Sequence, residues 1–181
     1  MRTFVALIHY PVHNRGGERV ASAVTHSDVH DIARTARAYG LAGYYLVHPV
    51  EAQRRLVAQI LRHWEEAADL GAHRRQEALL LVRLVPDLAT ARGEIARACG
   101  APPFVVATSA VSRSGSIDVG ELRVRSGSRP LLVLFGTGWG LCPEVFAEVD
   151  ATLDPIDLGT GYNHLPVRAA VAIVLDRLLG R

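Results

Sequence analysis

Short, almost continuous apolar runs alternate with helix-patterned segments along the chain, and this alternation restricts the fold more than any other feature. TFVALIH (3–9), GYYLVH (43–48), EALLLVRL (77–84), PFVVATSA (103–110) and RPLLVLFG (129–136) read as strands. Strands with no polar face must be covered on both sides, which is the habit of parallel sheets. Between them, Val29, Ile32, Ala33 and Ala36 fall at i, i+3, i+4 and i+7, so residues 28–39 predict a helix. Asp28 can cap it and Gly40 ends it. A long helix is expected from Val50 to about Leu70, with Leu56, Ile60, Leu61 and Trp64 on one face and Arg54, Arg55, Glu65 and Glu66 solvated. Asp87 to Ala98 predicts another, stopped at Gly100, and residues 166–180 a terminal helix with proline in its first turn. Residues 112–128 lack periodicity and read as a loop. The expectation is a single α/β domain over residues 1–181, with a mostly parallel sheet and helices on both faces.

The length of 181 residues suffices for one buried core, and the hydrophobic fraction of 49% is ordinary. No apolar run reaches the roughly 20 residues that span a bilayer. The opening MRTFVALIHYPVHNRGG reads as a strand entering a loop rather than a signal peptide, so a cytoplasmic location without a membrane is expected. Cys99 and Cys142 are far apart and match no ligand spacing; they read as reduced, packed thiols. The net charge of +2 supplies no basic field, yet all 20 basic residues are arginine. Arginine binds phosphate bidentately and stacks on bases. Arg113, Arg123 and Arg125 in the 112–128 segment could therefore form an RNA-facing lip, although a solvated loop fits equally well.

Two glycine-rich segments carry chemical meaning. Gly136-Thr137-Gly138-Trp139-Gly140-Leu141 directly follows the buried run ending at Phe135. Glycines at alternate positions let the backbone adopt positive φ and approach a ligand, and ligands of open α/β sheets sit at the carboxyl ends of strands. A tight strand–helix turn would use the same residues. A phosphate-binding P-loop needs a lysine, which this chain lacks, and a dinucleotide fingerprint belongs after the first strand. The second segment, from Ile156 through Gly159, Gly161, Tyr162, Asn163, His164, Leu165, Val167 and Arg168, feeds the terminal helix. Free N–H groups at a helix start favour a carboxylate, although Asn163 could simply cap the helix.

Taken together, FGTGWGL and YNHLPVRAA resemble the second and third motifs of the SPOUT (trefoil-knot) methyltransferases. YNHLPVR is similar to the corresponding segment of bacterial tRNA guanosine methyltransferases in that superfamily. Ile8-His9-Tyr10-Pro11-Val12-His13-Asn14 and Thr25-His26-Ser27-Asp28-Val29-His30-Asp31-Ile32-Ala33-Arg34-Thr35-Ala36 resemble the opening of a small stand-alone SPOUT family, so the resemblance covers nearly the whole chain. It implies a deep C-terminal trefoil knot, an exception to unknotted topology. It also implies S-adenosyl-L-methionine as cofactor, an RNA substrate (tRNA or rRNA) and a homodimer. The implied cofactor pocket is lined by Thr108, Phe135 to Leu141, Ile156, Gly159, Tyr162, Asn163, His164, Leu165, Val167 and Arg168.

On the acceptor side, Arg34-Thr35-Ala36 resembles the first motif of the related ribose methyltransferases. Asp28 stands where those enzymes carry asparagine, which weakens the transfer of a ribose acceptor and leaves a carboxylate that could act as base for a ring nitrogen; base and ribose both stay open as acceptor. Arg34, Asp28 and Asn14 are the candidate catalytic residues, against an ion pair, a cap and a turn as their plain structural roles. His9, His13, His26 and His30 raise a metal cluster, but they form no helical H-x-x-x-H site because His26 is expected to precede the helix, and they read as solvated or hydrogen-bonded histidines. The leading expectation is an S-adenosylmethionine-dependent RNA methyltransferase. The alternatives are a non-catalytic knotted nucleotide- or RNA-binding module and an NAD-type oxidoreductase.

Overall fold

A computed structural model describes residues 2–66 and 73–180. Its frame is a six-stranded sheet built from β1 (Thr3–Ile8), β4 (Gly43–Val47), β5 (Val82–Val85), β6 (Phe104–Ala107), β7 (Leu131–Gly136) and β8 (Ala151–Thr152). The order across the sheet is β5-β4-β1-β7-β6-β8, and every pairing is parallel. A separate two-stranded hairpin joins β2 (Val12–His13) to β3 (Arg19–Val20).

The apolar runs are continuous because both faces of the sheet are covered. On one face Val5, Leu7, Tyr44, Leu46, Val106 and Val133 pack under α1 (His26–Ala38), α2 (Glu51–Glu66), α3 (His73–Leu79), α5 (Val119–Ser126) and α7 (Val167–Leu179). On the other, Phe4, Ala6, Ile8, Tyr45, Leu132 and Leu134 pack under α4 (Leu88–Cys99) and α6 (Pro143–Ala147). Alternate residues of each strand thus serve opposite layers. The expected α/β architecture is the one observed.

Several local expectations are corrected. Helix α1 starts at His26, and its cap is Thr25, whose hydroxyl accepts from the Asp28 N–H; Asp28 lies inside the first turn. His26, expected ahead of the helix, is instead one turn from His30 with the rings 4.1 Å apart, although no third ligand joins them among the described residues. In α2 the buried residue is Val57, with Leu61 and Trp64 packed beside it, while Leu56 is exposed. The i, i+4, i+7 stripe from Val57 therefore replaces the one expected from Leu56. The expected end of that helix near Leu70 lies outside the described residues. The apolar run 77–84 divides: its first residues finish α3, burying Ala78 and Leu79, and β5 begins only at Val82. The 112–128 segment contains α5, capped by Asp118, whose carboxylate accepts from the Glu121 N–H at 2.7 Å. Its arginines are occupied: Arg123 donates to the carbonyls of Arg177 and Leu178, Arg125 pairs with Glu121, and Arg113 lies over the Phe146 ring. The residues are thus structural at this edge rather than a free lip. Both cysteines are free thiols, Cys142 buried and Cys99 half-buried. No helix among the described residues is long and apolar enough to cross a membrane.

Candidate active site

The parallel register decides what meets at the carboxyl edge of the sheet. Ile8 pairs with both Val47 and Gly136, so the next residues, His9, His48 and Thr137, emerge side by side. The glycine loop begins there. An added Cβ at Gly136 would lie 2.9 Å from the Leu141 backbone nitrogen, so only glycine lets the chain fold back on itself. Gly138 has φ 60°, and a Cβ there would meet the His13 carbonyl oxygen at 2.9 Å. The hairpin clasps this loop: Trp139 N donates to His13 O at 3.0 Å, and His13 N to Gly140 O at 2.9 Å. Thr108, at the end of the neighbouring β6, donates from its hydroxyl to Leu134 O.

The second glycine segment reaches the same edge. Leu153 N donates to Ala107 O, and the Asn163 side-chain amide donates to Ala110 O. Asn163 is therefore a tether rather than a cap; the N-cap position of α7 is Pro166, with no side-chain bond. Asp157 accepts from Gly159 N at 2.8 Å, turning the chain locally. His164 stands edge-on to Tyr162. Trp139, Leu158 and Tyr162 are exposed by 62%, 80% and 71%, an apolar surface left open on both site loops.

Helix α7 then runs beside α1. Arg168 faces Asp31 at 3.6 Å, and Tyr39 donates to Asp176 at 2.9 Å. Both pairs are separated by the same sequence offset, so the two helices lie parallel and both start at the carboxyl edge. This arrangement sets the first turn of α1, with Asp28, towards the YNHLPVR segment, while Arg34 lies two turns further along the helix, level with Val171. Arg34 is exposed and makes no hydrogen bond or ion pair among the described residues. Asp28 is buried and accepts from the Thr25 hydroxyl at 2.5 Å. Asn14 is committed to the hairpin turn: its Oδ1 accepts from the N–H groups of Gly16 and Glu18, and its Nδ2 donates to Glu18 at 2.7 Å.

One group was not legible in the sequence. His9 and His48 stack at 5.5 Å, and Ser22 sits between them and Thr137. Burial, and next the neighbouring His48, pull the His9 pKa down to about 4. Burial is also the main reason the His48 value is lowered. The four residues are dispersed in sequence, and only strand register joins them.

The residues present suit S-adenosylmethionine. The glycine loop offers a backbone-lined cradle where a Cβ would collide, and the exposed Trp139, Leu158 and Tyr162 offer apolar surface for an adenosyl group. An open parallel sheet with two glycine loops at its carboxyl edge defines a nucleotide-type site in the α/β class. The fold is shared with the SpoU methyltransferase AviRb from Streptomyces viridochromogenes, solved in complex with AdoMet; that structure has a TM-score of 0.58 at 18% identity, over 97% of this chain and 56% of the other. The chain belongs to the family of SAM-dependent RNA methyltransferases, which it matches over residues 2–180. Among relatives, a tRNA (guanine-N(1)-)-methyltransferase of Oleidesulfovibrio alaskensis is 46% identical over 180 residues, 98% of this chain and 42% of the relative. The chain thus spans less than half of that longer protein. An uncharacterized protein of Aquifex aeolicus is 38% identical over 181 residues, 98% of this chain and 88% of the relative. The SPOUT resemblance seen in the motifs agrees with these likenesses.

Proposed function

We propose that the chain methylates RNA with S-adenosylmethionine as donor, acting as one domain. The observation that carries this reading is the Asn163–Ala110 tether, which draws the YNHLPVR segment to the end of β6, next to the glycine loop that follows β7. Residues 107–110, 136–141 and 156–168 then line one cofactor pocket. S-adenosylmethionine, when bound, supplies a methyl group already activated on sulfonium, so the protein has only to align the acceptor and take up its proton. Arg34, exposed on α1 and in no ion pair among the described residues, is the candidate to orient the RNA acceptor. Asp28 is the nearby carboxylate for the proton. Asn14 supports the reaction only by holding the hairpin that clasps the glycine loop.

A deep C-terminal trefoil knot is the topology proposed for the segment that brings the two loops together. The apolar exposure of Trp139, Leu158 and Tyr162 suits burial by a second copy of the chain, so a homodimer is proposed, working in the cytoplasm. Two measurements test the reading. Calorimetry should detect binding of S-adenosylmethionine and S-adenosylhomocysteine; no heat at high protein concentration overturns the cofactor assignment. Methyl incorporation into tRNA and rRNA from a deletion strain should follow, and cofactor binding without any transfer would point instead to a non-catalytic RNA-binding module.

A further inference from the structure

Ser22 lies in the extended segment between the hairpin and α1, and it uses every polar atom it has. Its N–H donates to His9 O at 2.9 Å. Its carbonyl accepts from His48 Nε2 at 3.0 Å, since His48 Nδ1 is taken as acceptor by Val50 N at 3.1 Å. Its hydroxyl lies 2.5 Å from Thr137 Oγ1 and 2.9 Å from His9 Nδ1. Proton counting orders this chain. The single Thr137 hydroxyl proton goes to Ile8 O at 3.2 Å, so Ser22 donates to Thr137, and His9 Nδ1–H donates to Ser22. The directions are fixed by the two ends: the serine hydroxyl joins the end of β1 to Thr137 of the glycine loop, and the serine carbonyl holds His48 at the end of β4.

The loop has two anchors. The hairpin holds its far part, at Trp139 and Gly140; Ser22 holds its near end, at Thr137. Ser22 also leads directly into Thr25 and the first turn of α1. We infer that Ser22 is a positioning residue, whose hydroxyl holds the 136–141 loop in its cofactor-binding shape and sets it against the first turn of α1, which bears Asp28. This rests on the cofactor reading above and adds to it the element that aligns donor and acceptor sides.

Calorimetric titration of S-adenosylmethionine into wild type, Ser22→Ala, Thr137→Ala, Thr137→Ser and the double alanine variant tests it, with the unfolding midpoint recorded for each. Ser22→Ala and Thr137→Ala should each weaken Kd roughly threefold to tenfold, the worth of one neutral hydrogen bond. The double variant should bind no more weakly than the weaker single one, because both remove the same bond. Thr137→Ser keeps the hydroxyl that meets Ser22 and should bind more tightly than Thr137→Ala. A purely structural role would lower the midpoint and leave the Kd of the folded protein unchanged, which overturns the inference; so does a double variant whose loss is the product of the two singles. If Ser22→Ala does not fold, the Thr137 pair decides: equal Kd for alanine and serine overturns it, and weak binding by alanine alone supports it. Wild type that takes up no S-adenosylmethionine overturns the cofactor reading and this one with it. Wild-type binding that Ser22→Ala leaves unchanged overturns this one alone.

Discussion

His9 and His48 leave adjacent strands at the same register and stack their rings at 5.5 Å, with 27° between the planes. His9 is fully buried, and its Nε2 has no partner among the described residues. A proton added there would be a desolvated charge beside a second imidazole. The folded value of about 4 lies below the ordinary 6.5, so the unfolded chain binds the proton more readily. Stability should be full near neutral pH and fall as the pH drops from about 6.5 towards 4, by about 3 kcal/mol from this residue alone. His48 and His30 are shifted the same way and add to the slope. Urea unfolding at several pH values checks it; a flat midpoint between pH 7 and 5 contradicts the expectation.

Gly138 and Gly159 both have positive φ, but only Gly138 is crowded. Gly138→Ala must push against the His13 carbonyl and break the hairpin clasp. It should weaken S-adenosylmethionine binding more than tenfold and cost well over the 1–2 kcal/mol of a left-handed residue. Gly159→Ala meets nothing within 4 Å and should cost only the roughly 1–2 kcal/mol of its left-handed backbone. Comparable Kd values for the two variants would show that the clasp is irrelevant to binding.

Asn163→Ala removes the amide that tethers the second glycine segment to Ala110. Cofactor affinity should fall roughly threefold to tenfold. Asn163→Asp should do worse, because a carboxylate facing a carbonyl oxygen repels it. Wild-type affinity in both variants would remove the main support for a shared pocket.

Arg34 makes no hydrogen bond or ion pair among the described residues, so Arg34→Ala should leave the unfolding midpoint and the cofactor Kd near wild type. Turnover on RNA should nevertheless drop roughly a hundredfold, the scale of lost acceptor alignment. Undiminished turnover would exclude it from the reaction. Asp28 differs: Asp28→Asn weakens its bond with Thr25 and should cost about 1 kcal/mol in addition to turnover.

The sequence revealed the strands buried on both faces, because β1, β4, β6 and β7 are unbroken apolar runs bounded by polar residues or glycine. It misplaced β5, since Ala78 and Leu79 close a helix with the same residue types that open the strand. Helix α5 has no apolar period because only Leu122 and Ser126 of it are buried; the Asp118–Glu121 spacing at its start and Gly127 at its end are its local signals. Both glycine loops were legible, since backbone shape writes itself as glycine. The His9–Ser22–Thr137–His48 group was not, because long-range register carries no local pattern.

The strand order has a consequence for biosynthesis. Leu131–Gly136 belongs between β1 and β6, yet it is translated long after β1. Until it leaves the ribosome, the first strand has one unpaired edge and the sheet has a gap at its centre. The nascent chain therefore carries an open, strongly apolar template until Gly136 has emerged, exposed to other chains and to chaperones. A stall or truncation before residue 131 would release a sticky half-sheet rather than a smaller working domain.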